Sequence, residues 1–391
     1  MPAPAEHRFP CAQCGASLRF QPGQQQLVCD WCGHRQDIGP GPARAPGRHD
    51  DGSSGADEPA LQWAPGPRNA AALEEIPLDK GLHLDAGAGD IVQMVRSLAC
   101  PNCGARVDLD ETHHASACPF CATPVVTDTG ATRRIKPQGV LPFKLTEAQA
   151  HTAMKSWLKG LWFAPSGLTA YARKDRRLTG VYTPFWTFDA RSVSRYRGQR
   201  GDAYYVTVQS TRQVNGRSET VSRQERRIRW RPASGQVARD FNDVLVGAST
   251  ALPPRFATAL KPWDLNDLAL YDPAFLSGFE AEGYTVALAD GHQTARAQMA
   301  QVIHADARRD IGGDEQRIEQ IDSRFSDETF KHVLLPVWSA AYRYNGKSYR
   351  FVVNGQSGKV MGERPWSVWK IAGATAVALV ALAVFLYLTQ G

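Results

Sequence analysis

Two sets of four cysteines, Cys11, Cys14, Cys29 and Cys32 and then Cys100, Cys103, Cys118 and Cys121, carry one spacing, C-x2-C-x14-C-x2-C. No other feature constrains the chain as strongly. Two thiolates separated by two residues reach one ion from a tight turn, and a 14-residue spacer lets a hairpin bring the second pair round to close a tetrahedron. Gly15, Gly33 and Gly104 directly follow the second cysteine of a pair, and Ala122 takes that place in the fourth. The turn needs that room. Each set therefore predicts a zinc ribbon, at residues 1–38 and 97–128, with two zinc ions per chain. Iron in a rubredoxin-like site would use the same ligands. Four sulfurs leave no open position for a catalytic water, so His34, His113 and His114 are read as bystanders.

All eight cysteines fall into these pairs, which leaves no lone thiol as a nucleophile. Residues 1–10 lack an apolar signal segment, so the ribbons are expected on the reducing, cytoplasmic side, where paired thiols serve metals rather than disulfides. Modules this small cannot fold on an apolar core alone, and the metal must supply the difference. Between them, residues 39–96 read as a largely disordered linker. Its first part, Gly39 to Asn69, is rich in Pro, Gly and charge, and a short helix is expected around Ile91 to Leu98.

From 135 to 365 the sequence takes on a globular texture. Thr146 and Gln149 form a capping box, and Met154, Trp157, Leu158 and Leu161 recur at helical spacing up to Pro165. A second helix is expected from Gln293 to Arg309, with Met299, Val302, Ile303 and Ala307 on one face. Strands are expected at 181–188, 203–209 and 226–231, the last alternating Arg227, Arg229 and Arg231 with Ile228 and Trp230. Asn345-Gly346 and Asn354-Gly355 punctuate an antiparallel meander over 332–363. Val181, Pro184 and Trp186 match Val333, Pro336 and Trp338 in spacing, so the domain reads as two related halves, about 140–240 and 285–365. The fold class is α+β.

Ile371 to Leu388 is an uncharged, mostly apolar run of 18 residues. At ~1.5 Å per residue it spans about 27 Å, close to the hydrocarbon thickness of a bilayer. Trp366 and Trp369 flank one end and Tyr387 the other, as aromatics do at headgroup level, and Arg364 and Lys370 mark the cytoplasmic side. A single tail-anchoring transmembrane helix at 369–389 is expected, holding the ribbons at the cytoplasmic face of the inner membrane. The arginine strand could then meet anionic lipid, although a solvated strand face is the simpler reading.

These residues, with LPFKLT (141–146), WLKGLWFAP (157–165), GVYTPFW (180–186), FKHVLLPVW (330–338) and VNGQSGKVMGERPWS (353–367), carry a resemblance over most of the chain. The chain resembles a group of bacterial TFIIB-type zinc-ribbon membrane proteins that bears the label primosomal protein N-prime, a superfamily II helicase. The resemblance implies zinc, a membrane and a link to replication. The helicase part does not follow from the residues. A helicase needs a Gly-x4-Gly-Lys-Ser/Thr loop, and the nearest match, Gly346-Lys347-Ser348, has Ala341 where the first glycine belongs. G-x-G-x-x-G, H-E-x-x-H and G-x-S-x-G are likewise missing. The expected role is a non-enzymatic adaptor that recruits a protein partner through its ribbons. A nucleic-acid-binding factor is the alternative, permitted by a net charge of +6 but opposed by Asp108, Asp110 and Glu111 within the second ribbon.

Overall fold

A computed structural model describes residues 9–24, 26–38, 73, 75–83, 92–100, 104–108, 115–117, 124–126, 131–165, 178–214, 217–344 and 347–390. It is a mixed α+β structure with a curled antiparallel half-barrel, a small N-terminal sheet and a C-terminal apolar helix. The N-terminal sheet is formed by β1 (Leu18–Gln21), β2 (Gln26–Cys29) and β3 (Arg35–Asp37), in that order. Next come β4 (Ile76–Pro77), α1 (Leu78–Leu82), β5 (Val92–Ala99), β6 (Arg106–Asp108), β7 (Ala115–Ala117), β8 (Pro124–Val126), β9 (Ala131–Ile135) and β10 (Gly139–Val140).

Three long strands organise the rest. β11 (Thr179–Val214) runs between β12 (Arg217–Gly247) and β15 (Glu315–Tyr344), antiparallel to both. The 36 residues of β11 represent about 120 Å of contour at ~3.3 Å per residue, several times the usual strand. Such a strand must bend, and the bend has a local cause. Opposite Asp189 and Ala190 both neighbouring strands carry an extra residue, and within those bulges Asp243 and Asp327 take φ of 53° and 52°. Aspartate tolerates this left-handed conformation better than most residues, and bulges increase local twist. The Asp243 amide donates to Asp189 Oδ1 at 2.5 Å. Buried Lys331 lies 3.0 Å from both Asp189 and Asp243 and 3.3 Å from Glu75, so the bulge is also the site of a buried ion cluster.

The remaining elements are α2 (Glu147–Lys159), α3 (Pro254–Ala259), β13 (Ala269–Leu270), β14 (Glu280–Glu282), α4 (Leu288–Ile311), β16 (Lys347–Asn354), β17 (Val360–Gly362) and α5 (Val368–Gln390). The face of α4 that packs on the long strands is Leu288, Gly291, Ala295, Met299, Ile303, Ala307 and Ile311, recurring every three or four residues. A side chain at Gly291 would meet the Trp186 indole at 2.7 Å. Val302 lies off this face and is exposed.

The Val-Pro-Trp segments of β11 and β15 pair with each other, with Thr183 opposite Leu335, Val181 opposite Val337 and Phe185 opposite Val333. Their tryptophans make matching bonds. The indole of Trp338 donates to the Leu145 carbonyl, just ahead of the α2 cap, at 3.0 Å. That of Trp186 donates to the Val286 carbonyl, just ahead of the α4 cap, at 3.1 Å.

Several expectations change. The segments at 181–188 and 203–209 belong to one continuous strand. Val92–Ala99 is a strand, not a helix, because its backbone finds ladder partners in Ala131–Ile135 for Val92 to Arg96 and in β6 for Ser97 to Ala99. Within the expected linker, β4 pairs with Thr329 and Phe330 of β15, and Leu73, Ile76 and Leu78 are buried. Residues 39–72 lie outside the described residues. The capping box at Thr146 and Gln149 is formed as read.

Candidate metal centre

The first ribbon builds its cysteine site from a hairpin and two turns. β1 and β2 pair Leu18 with Cys29 and Phe20 with Leu27, which places the second cysteine pair beside the first. In each turn the leading cysteine accepts from the glycine that follows the pair: Gly15 N–H to Cys11 O at 2.8 Å, and Gly33 N–H to Cys29 O at 2.9 Å. The Cys11 and Cys29 amides in turn donate to Ala16 O and His34 O at 2.6 and 2.9 Å. Gly15 and Gly33 sit at φ of 74° and 72°, a conformation that a side chain would strain.

The four sulfurs converge. Cys11 and Cys32 Sγ are 3.5 Å apart, Cys14 and Cys29 Sγ are 3.4 Å apart, and all four lie within 4.8 Å of one another. A tetrahedron with Zn–S bonds of ~2.3 Å has edges of about 3.8 Å, so the cluster fits such an ion with small adjustment. The electrostatics agree. Amide donors, that of Cys32 first, pull the Cys29 thiol down to about 7. The amide of His34 lowers the Cys32 thiol, but partial desolvation and the three neighbouring sulfurs outweigh it and push Cys32 up to about 12. Four adjacent thiolates require a cation, and a dipositive ion supplies one. His34 is not part of the cluster.

This ribbon is not a free module. Phe20 is 4% exposed and packs edge-on against Phe275 and Phe279, with ring centres 5.4 and 6.1 Å away. The Phe20 amide donates to Ser277 O at 3.0 Å, the Gly23 amide to Phe143 O at 2.9 Å, and Ser277 Oγ to Leu18 O at 2.6 Å. Cys11, Leu18, Phe20, Leu27 and Cys29 thus share one apolar core with Phe143, Tyr182 and Trp338 of the large domain.

Of the second set the structure describes Cys100, whereas Cys103, Cys118 and Cys121, with His113 and His114, lie outside the described residues. Cys100 is buried and repeats the turn of Cys11: its amide donates to Ala105 O at 2.7 Å, it accepts from Gly104 at 2.9 Å, and Gly104 has φ of 74°. The 89-residue offset from Cys11 to Cys100 also carries the pairing of Val28 with Arg35 onto that of Ala117 with Pro124, which β7 and β8 make. This region too joins the large sheet, because β6 pairs with both β5 and β14.

Two features of this region escape the spacing argument. Trp31, between Cys29 and Cys32, is 86% exposed, and the Phe20 contact with Phe275 joins residues far apart in sequence. Of the Gly346-Lys347-Ser348 stretch, Gly346 lies outside the described residues, and Lys347 and Ser348 open β16, with Lys347 paired to Tyr344 at the end of β15, rather than lying between a strand and a helix.

Fold and site together define an α+β protein with a four-cysteine cluster that can hold a metal ion and a C-terminal helix, Val368–Thr389, long and apolar enough to cross a membrane and exposed along its apolar run. The chain is distantly homologous to the uncharacterized protein YdjG of Bacillus subtilis (strain 168), at 25% identity over 260 residues, covering 63% of this chain and 70% of that protein. No family model matches the chain, and no solved structure matches it.

Proposed function

We propose that the chain is a membrane-anchored adaptor, without helicase or ATPase activity, that presents two zinc-stapled ribbons from an α+β platform at the cytoplasmic face of the inner membrane. The platform consists of two related halves, each helix held by the tryptophan of the other half. One observation carries the reading. Trp31 is 86% exposed at the tip of a metal-stapled turn, and rigidly mounted exposed tryptophans are the residues that dominate protein interfaces. Phe120 stands at the corresponding place before Cys121. Cross-linking in intact cells, followed by purification of the full chain from solubilised membranes, tests it. Trp31→Ala should lose a specific partner that the wild type retains, and an unchanged set of cross-links would refute the reading. The purified chain should also neither bind nor hydrolyse ATP, and a DNA-stimulated rate abolished by Lys347→Ala would restore the helicase reading.

A second reading, contact with nucleic acid, rests on the far end of β11 and β12. Beyond Gly201, where β15 begins, they continue as a two-stranded ribbon carrying Arg212, Arg217, Arg223, Arg226, Arg227 and Arg229. Binding of this kind would weaken steeply with salt. The same ribbon is remote from the anchor. Arg227 pairs with Tyr204, 25 residues along β11 from Thr179 or about 80 Å of contour, which disfavours contact between these arginines and lipid.

A further inference from the structure

The first turn of α5 is tied to a short segment that follows α2. Lys370 Nζ donates to the carbonyls of Trp162 and Ala164 at 3.2 and 2.8 Å, and the Ser367 amide donates to Phe163 O at 2.8 Å. The Phe163 ring lies 6.4 Å from that of Trp366, over which Arg364 stacks at 4.3 Å. Lys370 immediately precedes the apolar run that begins at Ile371, so three hydrogen bonds hold residues 162–164 at the level where the helix becomes wholly apolar. Trp162 is 77% exposed there, and Trp366 and Trp369 around the start of α5 are also exposed. Lys155 and Lys159 are exposed on the end of α2 that leads into the segment.

Among the described residues, no packing contact accounts for an exposed tryptophan at this place. In a bilayer it has a partner, because the amphipathic indole prefers the headgroup region and lysines just above it meet anionic lipid. We propose that residues 160–165 form a second membrane contact, with Trp162 entering the phospholipid interface alongside the anchor. The contact fixes the tilt and rotation of the platform, which a single helix would leave free. The inference rests on the reading of α5 as membrane-spanning, and it goes further by assigning a lipid-binding surface to the folded domain.

The test uses the full-length chain in vesicles of phosphatidylcholine and phosphatidylglycerol, with the photo-crosslinking residue p-benzoylphenylalanine placed singly at 162, 205 or 377. Val377 lies mid-way along α5 and Tyr205 lies on the two-stranded ribbon, and both are exposed. After irradiation, mass spectrometry should find phospholipid adducts at 377 and at 162, with 205 at background. Adducts at 377 with 162 no higher than 205 would overturn the second contact and leave the anchor standing. Failure at 377 as well would remove the spanning helix and this inference together. A cross-link from 162 to another copy of the chain, without lipid, would make the segment a protein interface and would also overturn the proposal.

Discussion

Replacing Phe20 by alanine separates docking of the first ribbon from its metal-dependent folding. Phe20 is almost fully buried between Phe275 and Phe279 and belongs to no cysteine turn. Truncation of a buried phenylalanine costs about 3–5 kcal/mol, and here the loss falls on the contact between ribbon and platform. At ~1.4 kcal/mol per factor of ten, the docked state should weaken by between about 10² and 10⁴. Amide hydrogen exchange reads this directly, because the Phe20 and Gly23 amides donate across the contact to Ser277 and Phe143, whereas the Gly15 and Gly33 amides donate within the turns. In metal-loaded Phe20→Ala, exchange at positions 20 and 23 should accelerate by up to that factor while positions 15 and 33 remain protected. Equal acceleration at all four would mean that the ribbon does not hold together apart from the platform. No acceleration at 20 and 23 would mean that the aromatic contact does not fix the ribbon, and either result refutes the reasoning.

Elemental analysis of protein purified without added metal should give two zinc ions per chain, with Cys29→Ser and Cys100→Ser each removing one. About one ion in the wild type would eliminate the second site, and an iron signal would change the metal. The full chain should resist carbonate extraction from membranes while a chain ending at Pro365 is soluble, and release of the full chain by carbonate would contradict the anchor. His332 is fully enclosed against Trp186 and Tyr284, with Nδ1 3.0 Å from Ile135 O, and burial holds its pKa down from 6.5 to about 4. The folded state therefore takes up this proton later than the unfolded chain, so the stabilisation is complete above pH ~6.5 and is lost as the pH falls toward 4. The contribution amounts to about 3 kcal/mol. Urea titrations of the soluble chain at pH 7, 5.5 and 4.5 should show this slope and its flattening in His332→Gln, and an unchanged slope in the variant would assign it to other groups.

Local geometry made part of this protein legible in its sequence. The cysteine turns follow from a two-residue spacing and a glycine, the α2 cap from Thr146 and Gln149, and the apolar helix from an uninterrupted run, all fixed within a few residues of chain. Periodicity could not reveal that the segments around Tyr182 and Tyr204 form one strand, since its continuity depends on β12 and β15 flanking the stretch from Phe185 to Gly201 that joins them. Nor could it place Val92–Ala99 in a ladder whose partner follows the second cysteine set. The bulges at Asp243 and Asp327 depend on register, and Lys331 finds Asp189 across 142 residues of sequence. The joining of ribbon to platform likewise depends on Phe20 meeting Phe275 and Phe279. Those contacts arise when separate apolar surfaces are removed from water together, which the tertiary structure alone decides.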